Sequence, residues 1–291
     1  MQKVKVIIDT DIGSDIDDTL CLAYLLKQPL CEILGVTTCS SEPQKRAEIV
    51  DSIGRYIGRE LPIYVGRDMP IIGKQKQVAV HQYSVLDRLE HRNEFPQNTA
   101  IEYMKQMIEE YPYEIVLVAI GPFTNLGALF TAYPHLANLV KEIVCMGGSF
   151  FEEGQAFTQQ EWNIFNDAYA AEILFQSGVK ITVAGLDVTL RTKTSAQAFL
   201  MEQHSKVMEV VALYTENFTK RTDDMYYHDV IPAVYLFEKS IAKTKVGTVH
   251  VGLGEDFACT HFTESSDGNI EVMYDLDVKT FFEHYFTIVN R

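Results

Sequence analysis

The chain has 291 residues, a formal net charge of −15, 47% hydrophobic residues and 22% charged residues. This composition is typical of a globular protein and excludes an intrinsically disordered one. The acidic excess argues against nucleic acid and against an anionic membrane surface as partners, because both are bound by basic patches. The sequence contains no apolar stretch long enough to span a bilayer.

Short apolar runs alternate with amphipathic stretches as far as Ala184. The apolar runs predict strands at Val4–Ile8, Ile33–Thr38, Ile63–Val65, Ile115–Ile120, Ile143–Met146 and Ile181–Ala184. The stretches between them predict helices at Asp17–Lys27, Gln44–Gly58, Asn98–Glu110, Thr124–Thr131 and Asp167–Ser177. Runs that are apolar on both faces are typical of parallel strands covered by helices. We therefore predict an α/β fold in a single domain spanning residues 1–291.

The pattern changes after Gly185, where an irregular C-terminal portion is predicted. Its helices are expected at Ser195–Gln203, Lys206–Lys220, Asp229–Glu238 and Lys279–Val289. Its short strands are expected at Lys245–Val251, Phe257–Phe262 and Ile270–Tyr274. The aperiodic segment Gly66–Pro96 is a candidate lid over the strand ends.

The five cysteines are odd in number and show no paired spacing. Four of them lie within apolar runs, which is typical of reduced, buried thiols. The chain also begins with a strand rather than with a charged and then apolar leader. Both features predict a cytoplasmic protein.

The segment Asp9–Asp18 contains five carboxylates in ten residues, directly after the first predicted strand. Charges this close repel one another unless a cation lies among them. Carboxylate oxygens are the ligands that Ca²⁺ prefers, whereas Mg²⁺ retains more water. The segment therefore predicts a cation site at a strand end, where α/β proteins build their sites.

Three other interpretations of this segment account for it less well. An acidic helix N-terminus explains one or two of the carboxylates, but not five. An EF-hand loop would need an oxygen ligand where Gly13 lies and a closing glutamate, and the sequence has neither. A magnesium-dependent phosphohydrolase would use Asp9 as its nucleophile, but the sequence has only a poor substitute for its second acidic pair, in the block 185–187.

Four further blocks follow in order along the chain: residues 118–126, 146–148 with 161–167, 185–189 and 226–229. Together with Asp-x-Asp-x-Gly at the end of the first strand, they make the sequence resemble the calcium-dependent nucleoside hydrolases of the inosine–uridine-preferring type. The resemblance covers nearly the whole chain. It implies an open, mainly parallel sheet flanked by helices, with Ca²⁺ at the bottom of the active site.

The resemblance also implies roles for individual residues. The implied metal ligands are Asp11, Asp18, the main-chain oxygen of Ile120, and Asp229. The implied ribose-binding residues are Asp17, Glu161, Asn163 and Asp229. His228 would lie beside the departing base and either protonate or position it. Trp162, the only tryptophan, is expected in the core because of its apolar bulk.

The sequence departs from the family pattern at several positions. Two extra residues precede the last acidic pair of the first block, which makes Asp15 an additional carboxylate and a possible metal ligand. Glu42 and Gln155 stand where the family has asparagines, and the surroundings of His81 differ from those of the family histidine. These departures put base preference and recognition of the ribose 5′-hydroxyl in doubt, but not the metal.

The predicted activity is Ca²⁺-dependent hydrolysis of the N-glycosidic bond of a ribonucleoside to ribose and free base, as in purine or pyrimidine salvage. Asp11 is the candidate general base for a water that attacks the anomeric carbon with inversion. The substrate would be a small nucleoside or another ribosyl compound, and the family implies a homodimer or homotetramer. The alternatives are a nucleoside-binding protein that has lost turnover and the phosphohydrolase described above.

Overall fold

The computed structural model describes residues 3–151, 160–201 and 205–291. Its strands are β1 Val4–Thr10, β2 Cys31–Thr38, β3 Ile63–Val65, β4 Ile115–Ala119, β5 Glu142–Met146, β6 Ile181–Ala184, β7 Thr194–Ser195, β8 Asp224–Met225, β9 Ala242–Val251, β10 Thr260–Glu264 and β11 Ile270–Leu276. Nine of them form one sheet in the order β10-β9-β11-β6-β5-β4-β1-β2-β3. Strands β7 and β8 pair separately as a short antiparallel ribbon.

The helices are α1 Asp17–Lys27, α2 Pro43–Tyr56, α3 Ala100–Glu110, α4 Thr124–Ala132, α5 Trp162–Asn166, α6 Ala168–Phe175, α7 Leu186–Thr189, α8 Ala196–Phe199, α9 Lys206–Phe218, α10 Val230–Phe237 and α11 Val278–Val289. They cover both faces of the sheet, because side chains of each central strand alternate between two apolar layers. In β1, for example, Val6 and Ile8 pack into one layer and Ile7 into the other. The mainly parallel sheet flanked by helices confirms the predicted fold class.

The strand order places a site at the carboxyl ends of β1 and β4. Strand β1 pairs in parallel with β2 on one side and with β4 on the other. The chain therefore adds β2 and β3 on one side of β1, and later returns to add β4 on the other side. Crevices at such reversals are the usual ligand sites of open α/β sheets. Residues just after β1 and β4 consequently face a shared space.

Most predicted elements of the first 184 residues are confirmed, with ends that differ by a few residues. The strand predicted at Phe257–Phe262 instead begins at Thr260, because the preceding residues form a turn in which Ala258 donates to the carbonyl of Gly252. The helix predicted at Ser195–Gln203 is helical only over Ala196–Phe199 in its described part, and residues 202–204 lie outside the described ranges. Segment 66–96 is irregular apart from a 3₁₀ helix at His81–Arg88.

No helix within residues 3–151, 160–201 and 205–291 has both the length and the apolar character needed to cross a membrane. The cysteines Cys21, Cys31, Cys39, Cys145 and Cys259 are all buried free thiols, as predicted.

Candidate active site

A cavity of about 400 Å³ opens at the carboxyl ends of β1 and β4. All nine residues that the sequence suggested for the site line it: Asp11, Asp15, Asp17, Asp18, Ile120, Glu161, Asn163, His228 and Asp229. Further lining residues are Ser14, Gln77, His81, Met146, Trp162, Leu186 and Arg221. The fold thus collects residues from the whole length of the chain into one space large enough for a nucleoside.

A group of buried carboxylates lines part of this space. One oxygen from each of Asp17, Asp18 and Asp229 lies within 4.8 Å of the others. The first two occupy the first turn of α1, and Asp229 immediately precedes α10. Asp11 lies in the loop after β1 and, like the other three, is buried. These four residues are called the carboxylate cluster below.

Burial and mutual repulsion act in the same direction on this cluster. Burial raises the pKa values of Asp17, Asp18 and Asp229 well above their usual range, and their neighbours' charges raise them further. Burial also raises the pKa of Asp11, an effect opposed by the nearby Arg46 guanidinium. Buried carboxylates that are deprotonated at neutral pH require a counter-charge. The donor set, made only of hard oxygens, fits a calcium-type cation.

The turn after β4 brings a main-chain carbonyl to the cluster. The amide nitrogens of Ile120 and Gly121 lie 2.9 and 3.4 Å from the Asp9 carbonyl oxygen, which ties this turn to β1. A Cβ atom on Gly121 would lie only 2.7 Å from the Asp11 nitrogen, so the close approach requires glycine. The side-chain amide of Asn163 donates to the Ile120 carbonyl at 2.8 Å. Asn163 and the Ile120 carbonyl are therefore held as a unit.

Glu161 is buried at the start of α5, where its carboxylate caps the helix. It accepts hydrogen bonds from the amides of Asn163 at 2.7 Å, and of Ile164 and Gly148 at 3.1 Å each. Burial raises the pKa of Glu161 to about 7 although these bonds oppose the change. Its orientation towards the cavity is consequently fixed by the backbone.

His228 lies on the cavity wall, stacked on Tyr226 with ring centroids 5.0 Å apart. Its Nδ1 atom lies 2.7 Å from the hydroxyl oxygen of Thr189. Burial lowers the pKa of His228 to about 4. The imidazole is therefore neutral at pH 7, with its second nitrogen available for contact with a ligand.

The two extra residues of the first block form an anchored turn. Gln77 donates to the Ser14 hydroxyl at 2.9 Å, Gln82 to the Asp15 carbonyl at 2.9 Å, and Arg221 to the Ser14 carbonyl at 3.0 Å. The amide of Ile16 donates to the Asp15 carboxylate at 2.7 Å. Asp15 thus lines the cavity wall, outside the group of three closest carboxylates.

Sequence reasoning missed Arg46, Gln77 and Arg221, which contact the first loop. Only Arg46 carried a usable signal. It precedes Ile49 and Val50 by one helical turn and therefore lies on the apolar face of α2, where a charged side chain needs a buried partner. Gln77 and Arg221 lie in irregular segments, in which spacing does not indicate direction.

Asp9 does not line the cavity, in contrast to what the phosphohydrolase interpretation requires. Its side chain is buried, and its Oδ1 atom accepts hydrogen bonds from Asn125 at 2.8 Å and Thr37 at 2.5 Å. Burial raises its pKa to about 7. A nucleophile must reach its substrate, so this interpretation is not supported.

The prediction for Trp162 is wrong, because its side chain is 48% exposed and lies at the cavity rather than in the core. It occupies the first position of the short helix α5, whose buried side is taken by Asn163 and Ile164. Glu42 lies at the start of α2, where it forms an ion pair with Lys45. Gln155 lies outside the described residues.

The family model described as inosine-uridine preferring nucleoside hydrolase matches residues 6–283. The chain belongs to this family. It is therefore a ribonucleoside hydrolase, an enzyme that cleaves N-glycosidic bonds. Members of the family depend on a metal, and the carboxylate cluster supplies suitable ligands.

Several nucleoside hydrolases resemble the chain over most of its length. Uridine nucleosidase 1 from Arabidopsis thaliana is 30% identical over 265 residues, which is 85% of this chain and 78% of the relative. The pyrimidine-specific ribonucleoside hydrolase RihB from Escherichia coli is 28% identical and covers 86% of this chain and 84% of its own. The structure of a purine-preferring ribonucleoside hydrolase from Gardnerella vaginalis shares the fold, with a TM-score of 0.85, 23% identity and 98% coverage of both chains.

Proposed function

We propose that this enzyme hydrolyses ribonucleosides to ribose and free base in a reaction that depends on Ca²⁺. The observation that carries the proposal is the convergence of the carboxylate cluster, Glu161, Asn163 and His228 on one cavity. N-glycosidic cleavage passes through a transition state with positive charge on the sugar, which buried carboxylates stabilise.

The proposed metal ligands are Asp11, Asp18, Asp229 and the carbonyl of Ile120. Asp17 is close enough to Asp18 and Asp229 to share the same cation or to contact the ribose it holds. Asp15 is assigned to the cavity wall. When bound, Ca²⁺ would neutralise the cluster and act as a template for the ribose hydroxyls.

The remaining residues are assigned to substrate and water. Asp11 would take the proton of the attacking water as it adds to the anomeric carbon, while the C–N bond breaks and the electron pair leaves with the base. Direct attack predicts inversion. Asp17, Glu161, Asn163 and Asp229 would accept or donate hydrogen bonds to the ribose hydroxyls and so align the sugar.

His228 would donate a hydrogen bond from its neutral imidazole to the departing base and so position it, while the base takes up its proton from solvent. The hydroxyl of Thr189 donates to Nδ1 in this scheme, which leaves the proton on Nε2. We expect His228→Gln to lower kcat roughly 10- to 100-fold, with little change in the KM for ribose-bearing substrates. Steady-state kinetics would check this, with Thr189→Val as a companion that keeps the imidazole but loses its partner. A His228→Gln enzyme with unchanged kcat on every substrate would remove His228 from the mechanism.

The function is tested with a panel of purine and pyrimidine ribonucleosides, measuring ribose and free base separately. We expect equimolar ribose and base from at least one nucleoside, and no phosphate from a phosphomonoester. Tight nucleoside binding without ribose release would instead support a binding protein. The panel also determines base preference, because the named relatives include both pyrimidine-specific and purine-preferring enzymes.

Three assignments stay predictions at this stage. These are a single domain over residues 1–291, a homodimer or homotetramer, and a cytoplasmic location with a role in nucleoside salvage. Light scattering of the purified enzyme would check the oligomeric state.

A further inference from the structure

Arg46 is the one basic residue that is fully buried in the part of the chain that the structure describes. It extends from the apolar face of α2 into the loop that joins β1 to α1. Its Nε atom donates to the Ser41 carbonyl at 2.8 Å, and its Nη1 atom donates to the Ile12 carbonyl at 3.1 Å and the Ser14 hydroxyl at 2.9 Å. The same nitrogen also contacts the carbonyl of Asp11. One guanidinium therefore contacts three residues of the loop that carries Asp11 and Asp15.

We propose that Arg46 is a positioning residue that fixes the loop 11–15 and acts as a permanent counter-charge to the carboxylate cluster, so that the cavity forms before a cation binds. The part of this proposal that concerns the cation rests on the proposed function. The part that concerns the loop rests on the hydrogen bonds alone.

The contacts of Arg46 require a guanidinium rather than any cation. Its acceptors belong to two separate segments. Nε donates to the carbonyl of Ser41, just before α2, and Nη1 donates to residues 11–14 of the loop after β1. A planar fork reaches these acceptors at once, whereas a lysine ammonium is a point charge at the end of a flexible stem. Lysine at this position would keep the charge but could not donate to Ser41 and to the loop 11–14 at the same time.

The position of the Arg46 charge contributes to the proposed role as much as its hydrogen bonds do. The guanidinium lies against the main-chain carbonyl of Asp11, inside the loop that carries this carboxylate. Removing a buried positive charge that lies beside buried carboxylates leaves their negative charge less compensated. Without Arg46, the cluster would depend on an external cation for neutralisation to a greater extent than it does now.

The experiment compares Arg46→Lys and Arg46→Met with the wild type, measuring Tm in a chelator and in saturating Ca²⁺. Arg55→Met is the matched control, because Arg55 lies on the same helix but pairs with Asp51 at 2.7 Å, away from the cavity. We expect Arg46→Met to lose about 6 °C or more in the chelator and Arg46→Lys clearly less. The Tm gain from Ca²⁺ should be larger in Arg46→Met than in the wild type, and unchanged in Arg55→Met.

The kinetic readout separates positioning from folding. In saturating Ca²⁺, at a temperature where all variants are folded, we expect both Arg46 variants to lose kcat by roughly 10- to 100-fold, since the loop with Asp11 shifts. If Arg46→Lys keeps the wild-type kcat, the positioning role is wrong. If Ca²⁺ raises the Tm of Arg46→Met no more than that of the wild type, the counter-charge role is wrong.

Failure of the proposed function would look different. A wild-type enzyme whose Tm and activity do not change with Ca²⁺ would contradict the metal assignment. The kcat of Arg46→Lys would still test whether Arg46 positions the loop 11–15. Should Arg46→Met fold only in Ca²⁺, the counter-charge role is supported directly. Should it fold in neither condition, Arg46→Gln, which also removes the charge but stays polar, takes its place in the Tm comparison, and Arg46→Lys still supplies the kinetic readout.

Discussion

Replacing Asp11 by Asn should lower kcat by about a thousandfold or more without lowering the stability of the metal-free protein. The carboxylate is the proposed base for the attacking water, and an amide cannot accept that proton. It is also buried beside other carboxylates, and burial raises its pKa, so the charge it carries at neutral pH is unfavourable in the absence of a cation. Ribose release and thermal unfolding in a chelator measure the two effects.

A matched control is Asp51→Asn, which removes a buried carboxylate that does not line the cavity. Asp51 accepts hydrogen bonds from Arg55 and Arg92, each at 2.7 Å. Its loss should destabilise the protein by roughly 1–3 kcal/mol and leave kcat unchanged. Asp11→Asn should therefore lower kcat but not stability, whereas Asp51→Asn should lower stability but not kcat. An Asp11→Asn enzyme that retains near-wild-type rates on every substrate would show that Asp11 is not the base.

Calcium removal should abolish activity and destabilise the protein most strongly at alkaline pH. The folded-state pKa values of the cluster are raised, and those of Asp9 and Glu161 are raised to about 7. Between about pH 4 and these raised values, the metal-free folded protein binds more protons than the unfolded chain. Its free energy of unfolding therefore falls as the pH rises through this range.

Ca²⁺ binds the deprotonated carboxylates and competes with protons, so its stabilising effect has the opposite dependence on pH. We expect the Tm gain from Ca²⁺ to be several degrees larger at pH 8 than at pH 5.5. Mg²⁺ at the same concentration should give a smaller gain, because it prefers fewer protein ligands and more water. Equal Ca²⁺ gains at both pH values would argue against the cluster as the metal site, and full activity in a chelator would argue against metal dependence.

Much of the fold was accessible from the sequence because its signals are local. Strand β3 and helix α1 have the predicted ends, since each combines a regular apolar period with clear boundaries. Phe257–Phe262 was misplaced because apolar residues also line the turn before β10, where the backbone of Ala258 adopts a positive φ of 63°. Trp162 was misplaced because bulk alone does not indicate which side of a short helix is buried.

The residues of the site could be predicted where residue type and order along the chain indicate a chemical role. Clustered aspartates after an apolar strand predict a cation site whatever the fold, and ordered blocks indicated Ile120, Glu161, Asn163, His228 and Asp229. Their convergence on one cavity could be inferred from the resemblance but not from spacing.

By itself, the sequence determined the alternation of strands and helices and the concentration of negative charge after β1, because hydrophobic period and charge are properties of neighbouring residues. Only the tertiary structure decided what surrounds that charge. It brought Asp229 to within 4.8 Å of Asp17 and Asp18, placed Arg46 against the loop before them, and put Asp15 on the cavity wall. These contacts join residues far apart in the chain, and their geometry depends on how the sheet orders its strands and how α2 packs against it.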